Sequence, residues 1–517
     1  MLSRVYTVGV RGVEGYPVLV ELDLANGLPS YTTVGLPDVA VRESRERVTA
    51  AVRNSGFKFP TRRITVNLAP AQARKQGTQF DLATALAVLS ASGQLGGQDG
   101  EKPEWVGKYC FVGELALDGS LRPVTGALSM AVTAKQQGFE AIIVPAENAE
   151  EASAAGVTTY AGTSLREVVD FLNGGELPSV AGPAGLEPSG RRVCEDLADV
   201  RGQLQAKRAL EVAAAGGHNL LLIGPPGAGK SMLARRLPGL LPALTRGERL
   251  ELSRIYAAAG GRGLVAERPF RAPHHSASAI ALIGGGPACR PGEASLAHAG
   301  VLFLDEMAEF ARPALEALRQ PLEDHKIVVT RAKDALEYPA RFMLVAASNP
   351  CPCGWRGHQT KECRCTPQAI AKYMGQLSGP LLDRIDLQVE VPALDFKDWA
   401  AAGPEAKAAT SAEVRRRVEA ARAVQRARLG RDDFAVNAYI PPSRLRRHCA
   451  LDAAGLETLE LAARLGLTGR GLDRCLRVAR TIADLAGSDC VLAEHVREAV
   501  QFRRLETLDR VGWKENT

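Results

Sequence analysis

The segment that most constrains this chain is an eight-residue glycine-rich loop. It reads GPPGAGKS and comprises Gly224, Pro225, Pro226, Gly227, Ala228, Gly229, Lys230 and Ser231. An apolar strand pattern precedes the loop and a helical pattern follows it, which is the setting that the phosphate-binding motif G-x-x-x-x-G-K-[ST] requires. Backbone N–H groups in such a loop approach phosphates, the lysine reaches the β- and γ-phosphates, and the serine can ligate Mg²⁺. The loop therefore predicts a nucleotide-binding α/β domain.

Two carboxylates follow a second apolar strand. Asp305 and Glu306 end the run VLFLDE at 301–306. We expect Asp305 to hold the Mg²⁺ shell and Glu306 to polarise the attacking water, because phosphoryl transfer depends on positioning and charge neutralisation. Two acids at a strand end can also form a solvated turn. Their combination with the glycine-rich loop favours catalysis and predicts ATP and Mg²⁺ as cofactors.

Two further polar residues follow apolar stretches. Asn349 ends the run AASN at 346–349. If its strand lies beside the Asp305 strand, its amide can bind the attacking water or the γ-phosphate; otherwise it is an ordinary turn residue. Arg384 lies in GPLLDRID at 379–386. It can stabilise transition-state charge in a neighbouring subunit, which requires a ring, or it can form an intramolecular salt bridge to Asp383 or Asp386.

The chain divides into regions of different pattern, as expected for 517 residues. Region 1–172 alternates short strand patterns with alanine-rich helical patterns and predicts an α/β domain. Region 173–190 is rich in Gly, Pro, Ser and Ala and predicts a linker. Region 191–395 alternates helices with fully apolar strands, which predicts a parallel sheet covered on both faces. Region 396–517 is rich in Ala, Arg and Leu with helical spacing, as at 414–429 and 472–485, so we expect an α/β multidomain protein with a C-terminal helical lid.

Composition sets weaker limits on location and partners. The amino terminus lacks the basic start and apolar run of a signal peptide, and no apolar stretch approaches the roughly 20 residues that cross a bilayer. We therefore expect a cytoplasmic protein. Ten cysteines in a chain of this size indicate reduced thiols or a metal site rather than disulfides. A net charge of +6 permits a polyanionic partner without demonstrating one.

Five segments carry a family resemblance. They are TVGLP at 33–37, FRAPHH at 270–275, PGEASLAHAG at 291–300, NPCPCG at 349–354 and LRVARTIADL at 476–485. Together with the glycine-rich loop they resemble the ComM/YifB group of magnesium-chelatase-like AAA+ ATPases over nearly the whole chain. The last segment separates this group from true chelatase subunits.

The resemblance implies a homohexameric ring that hydrolyses ATP to move single-stranded or branched DNA. Proteins of the group act as helicases that drive branch migration during homologous recombination in natural transformation. The implied roles are a Walker A pair at Lys230 and Ser231, a Walker B pair at Asp305 and Glu306, sensor 1 at Asn349, an arginine finger at Arg384, and sensor 2 at Arg470 or else Arg474. The family usually has Ser-Ala where this chain has Thr468-Gly469, a departure that leaves Arg470 in place.

An alternative function is that of a magnesium-chelatase-type ATPase subunit, which drives metal insertion into a porphyrin with partner proteins. The joined N-terminal domain and the cysteine-rich loop argue against this function, because both resemble the ComM/YifB group.

Segments 112–124 and 142–148 resemble the Lon-protease-like fold, a ribosomal S5 domain 2-like architecture. A protease of that type needs a serine nucleophile and an activating lysine. Gln79 and Leu128 stand where we expect those two residues. We therefore expect this domain to lack peptidase activity and to bind DNA or organise the ring.

Four cysteines are crowded into residues 351–365 as two C-x-C pairs, at Cys351, Cys353, Cys363 and Cys365. Four thiolates on a short polar loop can bind one structural Zn²⁺ tetrahedrally. The alternative is a set of reduced, metal-free thiols.

A hairpin pattern lies between the strands of Asp305 and Asn349, with its turn at 332–335. By resemblance to related motors, this hairpin points into the ring's pore, and Arg331 and Lys333 would grip DNA phosphates; a solvated turn is the alternative. His274 and His275 lie on a second candidate pore loop; the alternative is that they have a structural role. Arginine runs at 415–417, 444, 446–447 and 503–504 are typical of a solvated face.

Overall fold

The computed structural model describes residues 1–95, 105–182, 195–287, 289–331, 334–358, 360–393, 409–430, 434–464 and 466–503. The chain forms two compact units. One contains Met1–Glu187 together with Arg249–Val265, and the other contains Pro188–Glu248 together with Ala266–Thr517. The division is therefore discontinuous, because a short segment from the middle of the predicted ATPase region groups with the first unit.

The first unit is built on a mixed eight-stranded sheet with the order β10-β9-β8-β5-β1-β2-β4-β3. Its strands are β1 (Leu2–Arg11), β2 (Glu14–Ala25), β3 (Ser30–Val34), β4 (Arg63–Ala69), β5 (Tyr109–Phe111), β8 (Ala141–Pro145), β9 (Thr158–Gly162) and β10 (Ser179–Val180), while β6 (Glu114–Leu115) and β7 (Leu121–Arg122) pair separately. β10 falls inside the stretch predicted as a linker and pairs antiparallel with β9. Residues 183–190 of that stretch lie outside the described residues.

Helices pack on this sheet because their sequences supply continuous apolar faces. They are Val39–Asn54, Asp81–Ala91, Ala127–Gln136, Ala149–Ser153 and Leu165–Leu172. The helix Asp81–Ala91 is buried at ten of its eleven positions, since its alanines leave little bulk on any side. This helix confirms that the region 1–172 contains the predicted alanine-rich helical patterns.

The second unit contains a parallel five-stranded sheet with the order β12-β15-β18-β11-β19. These strands are β11 (Leu220–Ile223), β12 (Phe270–Arg271), β15 (Val301–Leu304), β18 (Met343–Ser348) and β19 (Leu387–Glu390), and the unit also has β13 (Gly284–Gly285), β14 (Arg290–Pro291), β16 (Lys326–Arg331) and β17 (Asp334–Pro339). Every residue of β11, β15 and β18 is buried. The predicted parallel sheet, covered on both faces, is confirmed.

The predicted hairpin is also confirmed, because β16 and β17 pair antiparallel. Lys333 lies outside the described residues, and so does the side chain of Arg331. Their contact with DNA stays a prediction.

Helices surround the sheet and make up the C-terminal region. They are Leu204–Gly216, Lys230–Leu240, Ala279–Ile283, Glu293–Leu296, Arg312–Ala317, Pro321–Asp324, Pro367–Met374, Gly379–Leu382, Ser411–Leu429, Pro442–His448, Ala453–Arg464, Gly469–Leu485 and Ala493–Gln501. The helix Arg246–Ala258 lies mostly in the segment that groups with the first unit. Val418 of Ser411–Leu429 and Val478 of Gly469–Leu485 belong to the same hydrophobic core as the sheet. In the part of the chain described here, every helix falls short of the length and apolar character that a membrane crossing demands.

The solvated-face interpretation of the arginine runs is wrong for Arg503. Its side chain is buried and donates a hydrogen bond of 2.7 Å to the carbonyl of Ile385. Arg417 forms an ion pair of 2.5 Å with Glu211. These guanidinium groups therefore tie the C-terminal helices to the nucleotide-binding core.

Candidate active site

The polar residues predicted from the sequence meet at one edge of the parallel sheet. β18 pairs with β11 on one side and with β15 on the other. The residues that follow these strands, Gly224, Asp305 and Asn349, therefore stand at neighbouring carboxyl ends, where open parallel sheets bind ligands. The prediction that the Asn349 strand lies beside the Asp305 strand is confirmed.

The glycine-rich loop has the backbone that phosphate binding demands. Gly227 and Gly229 have φ angles of +79° and +89°, a left-handed region that favours glycine. A Cβ atom at Gly224 would lie 2.1 Å from the carbonyl oxygen of Val391, so only glycine allows this close approach. The helix Lys230–Leu240 begins at Lys230, within the last two residues of the loop, and its N-terminal N–H groups favour an anion there.

Lys230 is buried and its ammonium group has three oxygen partners. Nζ donates to the carbonyls of Gly224 and Pro225, at 2.6 and 2.9 Å, and to Oδ1 of Asn349 at 3.0 Å. Burial lowers the pKa of Lys230 from its ordinary value, and the negative charges of Asp305 and Glu306 act against that shift. The ammonium group is thus held beside the loop and beside the amide predicted to sense the γ-phosphate.

The residues predicted to hold Mg²⁺ contact each other. Ser231 Oγ donates to Asp305 Oδ2 at 2.7 Å, and the backbone N–H of Glu306 donates to Asp305 Oδ1 at 3.1 Å. A hydroxyl and a carboxylate are the hard oxygen ligands that Mg²⁺ prefers, so this donor set fits the ion. When bound, Mg²⁺ would neutralise phosphate charge.

Glu306 has a backbone conformation unusual for its residue type. Its φ angle is +52°, a strained value that clusters at functional sites. Its side chain is about half exposed at 54%. The turn therefore leaves this carboxylate accessible, as a residue that orients water must be.

His275 is a site residue that the sequence interpretation did not place here. It follows β12, the neighbour of β15, and its Nδ1 lies 3.9 Å from Oε2 of Glu306. The His274 and His275 rings lie 4.0 Å apart. The signal in the sequence was the histidine pair itself, shortly after Phe270–Arg271, and its pattern predicts a second candidate pore loop or a structural element.

Arg384 is buried and forms an ion pair within its own chain. Its guanidinium group lies 2.5 Å from Oε1 of Glu323, so the alternative pairing with Asp383 or Asp386 is wrong about the partner. Arg470 also approaches Glu323, at 3.8 Å, and is 69% exposed. Arg474 instead pairs at 2.6 Å with the buried Asp386. Of the two sensor 2 candidates, Arg470 is therefore the accessible cation and Arg474 is engaged in the core.

The four clustered cysteines meet at one point. The Sγ atoms of Cys351, Cys353 and Cys363 lie 3.5 to 3.7 Å apart, and the ligand atoms of all four cysteines lie within 4.8 Å of one another. Zn–S bonds of about 2.3 Å in a tetrahedron place sulfurs about 3.8 Å apart, so the cluster fits one metal ion. A backbone hydrogen bond with Trp355 lowers the pKa of Cys353 to about 6, whereas burial and the neighbouring thiols raise the pKa values of Cys363 and Cys365, so the first thiolate of the cluster forms at Cys353.

Two relatives that match this chain over nearly their full length show which family it belongs to. The "Competence protein ComM" of Haemophilus influenzae is 44% identical over 517 residues, covering 98% of each chain. The "Uncharacterized protein YifB" of Escherichia coli strain K12 is 43% identical over 512 residues, again covering 98% of each chain. This chain belongs to the ComM/YifB family of magnesium-chelatase-like proteins.

Family models agree with this membership. "Magnesium chelatase, subunit ChlI" matches residues 196–399, "Subunit ChlI of Mg-chelatase" matches 20–148, and "Magnesium chelatase, subunit ChlI C-terminal" matches 408–503. The "Magnesium-chelatase 38 kDa subunit" of Cereibacter sphaeroides is 26% identical over 342 residues, which cover 60% of this chain and 92% of that protein. Membership in this AAA+ family implies an ATPase that uses ATP and Mg²⁺.

Proposed function

We propose that this ComM/YifB-family protein is an ATP-driven DNA helicase that promotes branch migration during homologous recombination in natural transformation. The observation that carries the proposal is the grouping of Lys230, Ser231, Asp305 and Asn349 at one sheet edge, with Glu306 beside them. The 44% identical protein named for competence supports a role in DNA uptake.

Each residue at this edge has a defined part in the proposed hydrolysis. Lys230 exchanges its backbone carbonyl partners for phosphate oxygens, while Ser231 and Asp305 provide ligands for Mg²⁺. Glu306 accepts a hydrogen bond from the attacking water and Asn349 holds that water or the γ-phosphate. These contacts position the reactants and neutralise charge, which is most of what phosphoryl transfer needs from a protein.

In the proposed homohexamer, two arginines complete the site. Arg384 leaves Glu323 and contacts the phosphate bound by the neighbouring subunit, and Arg470 acts as sensor 2. Two guanidinium groups around one carboxylate carry a net positive charge, which suits an incoming phosphate. Arg331 and Lys333 contact the DNA backbone in the pore.

The first unit is proposed to have a Lon-protease-like fold without peptidase activity. The amide nitrogen of Gln79 donates to the carbonyl of Gln76 at 2.8 Å, and Leu128 is fully buried among apolar side chains. Neither group supplies a nucleophile or an activating amine. A role in DNA binding or in ring organisation is therefore more consistent with these residues.

We predict that single-stranded and forked DNA stimulate ATP hydrolysis and that the wild-type protein separates the strands of a fork. The matched control is Glu306→Gln, which keeps the Ser231–Asp305 pair and should bind nucleotide while displacing no strand. ATP hydrolysis is measured by phosphate release, and strand displacement is measured by gel electrophoresis. Both assays use about 50 mM salt, because protein contacts with DNA phosphates weaken steeply as the salt concentration rises.

A protein that hydrolyses ATP but neither binds DNA nor responds to it under these conditions would refute the DNA motor. Porphyrin-dependent ATP hydrolysis with added partner subunits would instead support the chelatase alternative.

We also predict one equivalent of Zn²⁺ per chain at the four cysteines, measured by elemental analysis of protein purified without a histidine tag. Cys353→Ser should lower that content sharply, because a structural site needs all four ligands. Cys490→Ser is the control, since Cys490 is an exposed thiol outside the cluster. Less than about half an equivalent in the wild-type protein would contradict a four-thiolate site.

A further inference from the structure

We propose that the cysteine loop, residues 351–365, is a metal-dependent clamp that positions the nucleotide site, so that metal occupancy of the four thiolates sets nucleotide affinity. The inference rests on the proposed ATP site at Lys230 and adds a part of the chain that has no direct role in the chemistry. Three contacts of the described residues carry it.

The first contact is the covalent continuation of β18. Asn349, which accepts the Lys230 hydrogen bond of 3.0 Å, lies two residues before Cys351. Cys351 is fully buried. A metal bound to Cys351 therefore fixes the chain on one side of Asn349, while the sheet fixes it on the other.

The second contact joins the cysteine loop directly to the glycine-rich loop. Gly354 has a φ angle of +81°, and its N–H donates to the carbonyl of Cys351 at 3.0 Å in a tight turn. A Cβ atom at Gly354 would lie 2.6 Å from Cδ and 2.7 Å from Cγ of Pro226. The cysteine loop thus lies against the phosphate-binding loop with no room for a methyl group.

The third contact brings the other end of the cysteine loop back to β18. Thr366, the residue after Cys365, caps the helix Pro367–Met374 through a hydrogen bond from the Ala369 N–H at 3.2 Å. Burial raises the pKa of Tyr373 of this helix, and the adjacent Ser348 side chain and Asn349 backbone act against that shift. Both ends of the cysteine loop therefore return to the end of the strand that carries Asn349.

Metal binding is the strongest interaction available to hold this loop in place, beside local contacts such as Lys361 over the Trp355 ring. Among its described residues, Cys351 and Gly354 are buried while the others are partly or fully exposed. A loop with so little apolar burial gains its folding free energy from the bound ion. Loss of the ion frees Gly354 from Pro226 and releases Asn349 from its position beside Lys230.

The test measures affinity for a fluorescent ATP analogue, using the full-length protein with bound zinc and after removal of zinc by a chelator. We expect chelation to weaken binding about tenfold, the scale of losing one or two hydrogen bonds. Readdition of Zn²⁺ should restore the original affinity. Circular dichroism reports whether the metal-free protein remains folded.

A matched pair of variants tests the Pro226 contact without removing metal. Gly354→Ala and Gly357→Ala both place alanine at a positive φ angle, +81° and +74°, but the space around Gly357 is open. Both variants carry similar backbone strain, and only Gly354→Ala sets a methyl group against Pro226. We expect Gly354→Ala to weaken nucleotide binding about tenfold at unchanged zinc content. Gly357→Ala should bind as the wild type does.

The proposal is overturned if the wild-type protein binds no metal, if folded metal-free protein binds nucleotide with unchanged affinity, or if the two glycine variants bind alike. Should chelation unfold the protein, the glycine pair alone decides. These readouts use nucleotide affinity, so they are separate from the DNA response that tests the proposed function.

Discussion

Replacing Lys230 by alanine is expected to lower kcat for ATP hydrolysis by at least about 100-fold, the scale found when one positioned charge is removed from a phosphoryl-transfer site. The ammonium group sits between the glycine-rich loop and Asn349, so no neighbouring side chain replaces it. The measurement is phosphate release at saturating ATP.

Arg235→Ala is the matched control for this prediction. Arg235 lies on the same helix, Lys230–Leu240, with an exposed side chain, and its loss should leave kcat within about twofold. If the Lys230 variant kept kcat within threefold of the wild type, the assignment of the nucleotide site would be wrong.

Mixing two inactive variants tests the proposed ring with the same measurement. If Arg384 acts on the neighbour's nucleotide, Arg384→Ala subunits retain an intact Lys230 site and can receive Arg384 from a Lys230→Ala neighbour. Random mixing then restores about a quarter of the interfaces in a head-to-tail ring. A mixture as inactive as its components would argue against Arg384 as a finger supplied by the neighbour.

The second large effect is expected at Asp386, where alanine should lower the free energy of unfolding of the second unit by about 3–5 kcal/mol. Asp386 is buried and accepts hydrogen bonds from Arg474 at 2.6 Å and from the Asn219 backbone at 2.9 Å, with His218 3.7 Å away. Removing the carboxylate leaves the Arg474 charge without its partner. Urea denaturation at neutral pH measures the loss.

The same carboxylate gives a pH dependence. Burial alone raises the pKa of Asp386, but the charge of Arg474 and the nearby His218 outweigh it, and the folded-state pKa lies well below the ordinary value. A lowered folded pKa means that this stabilisation is present above the unfolded pKa of about 3.9 and is lost progressively as the pH falls below it.

Asp386→Ala should therefore show a smaller loss of stability than the wild type between about pH 5 and pH 3. Asp383→Ala serves as the control, because Asp383 is a partly exposed acid close by in sequence. Equal pH dependence in Asp386→Ala and the wild type would show that the buried pair does not contribute this stability.

The sequence predicted which polar residues gather at the sheet edge, but it did not predict that the chain divides discontinuously. The apolar runs at β11, β15 and β18 are continuous because both faces of the sheet are covered, so each polar residue that follows them marks a strand end. The carboxyl ends of these strands lie side by side because the strands are parallel and neighbour one another in the sheet. By contrast, no local pattern shows that Arg249–Val265 groups with the first unit, because that depends on packing between distant segments.

The ion-pair partners of charged residues were not predicted either, because they also depend on packing between segments that are distant in sequence. The sequence suggests Asp383 or Asp386 as the ion-pair partner of Arg384, because these are its nearest acids along the chain. In the folded chain Arg384 pairs with Glu323 instead, and Asp386 pairs with Arg474. His275 was missed because its neighbour Glu306 is reached across the strands β12 and β15. Such pairs are set by strand order and helix packing.

The shared core of the second unit limits how this unit can change shape. Val418 and Val478, from the C-terminal helices, pack in one hydrophobic cluster with Leu222 and Val345 of the sheet. Swinging these helices away as a rigid flap would expose that cluster to water. Conformational change during a catalytic cycle should therefore involve loops or displacement of the whole unit. A fragment that ends after β19 would lose part of this hydrophobic core and could not fold as an independent nucleotide-binding domain.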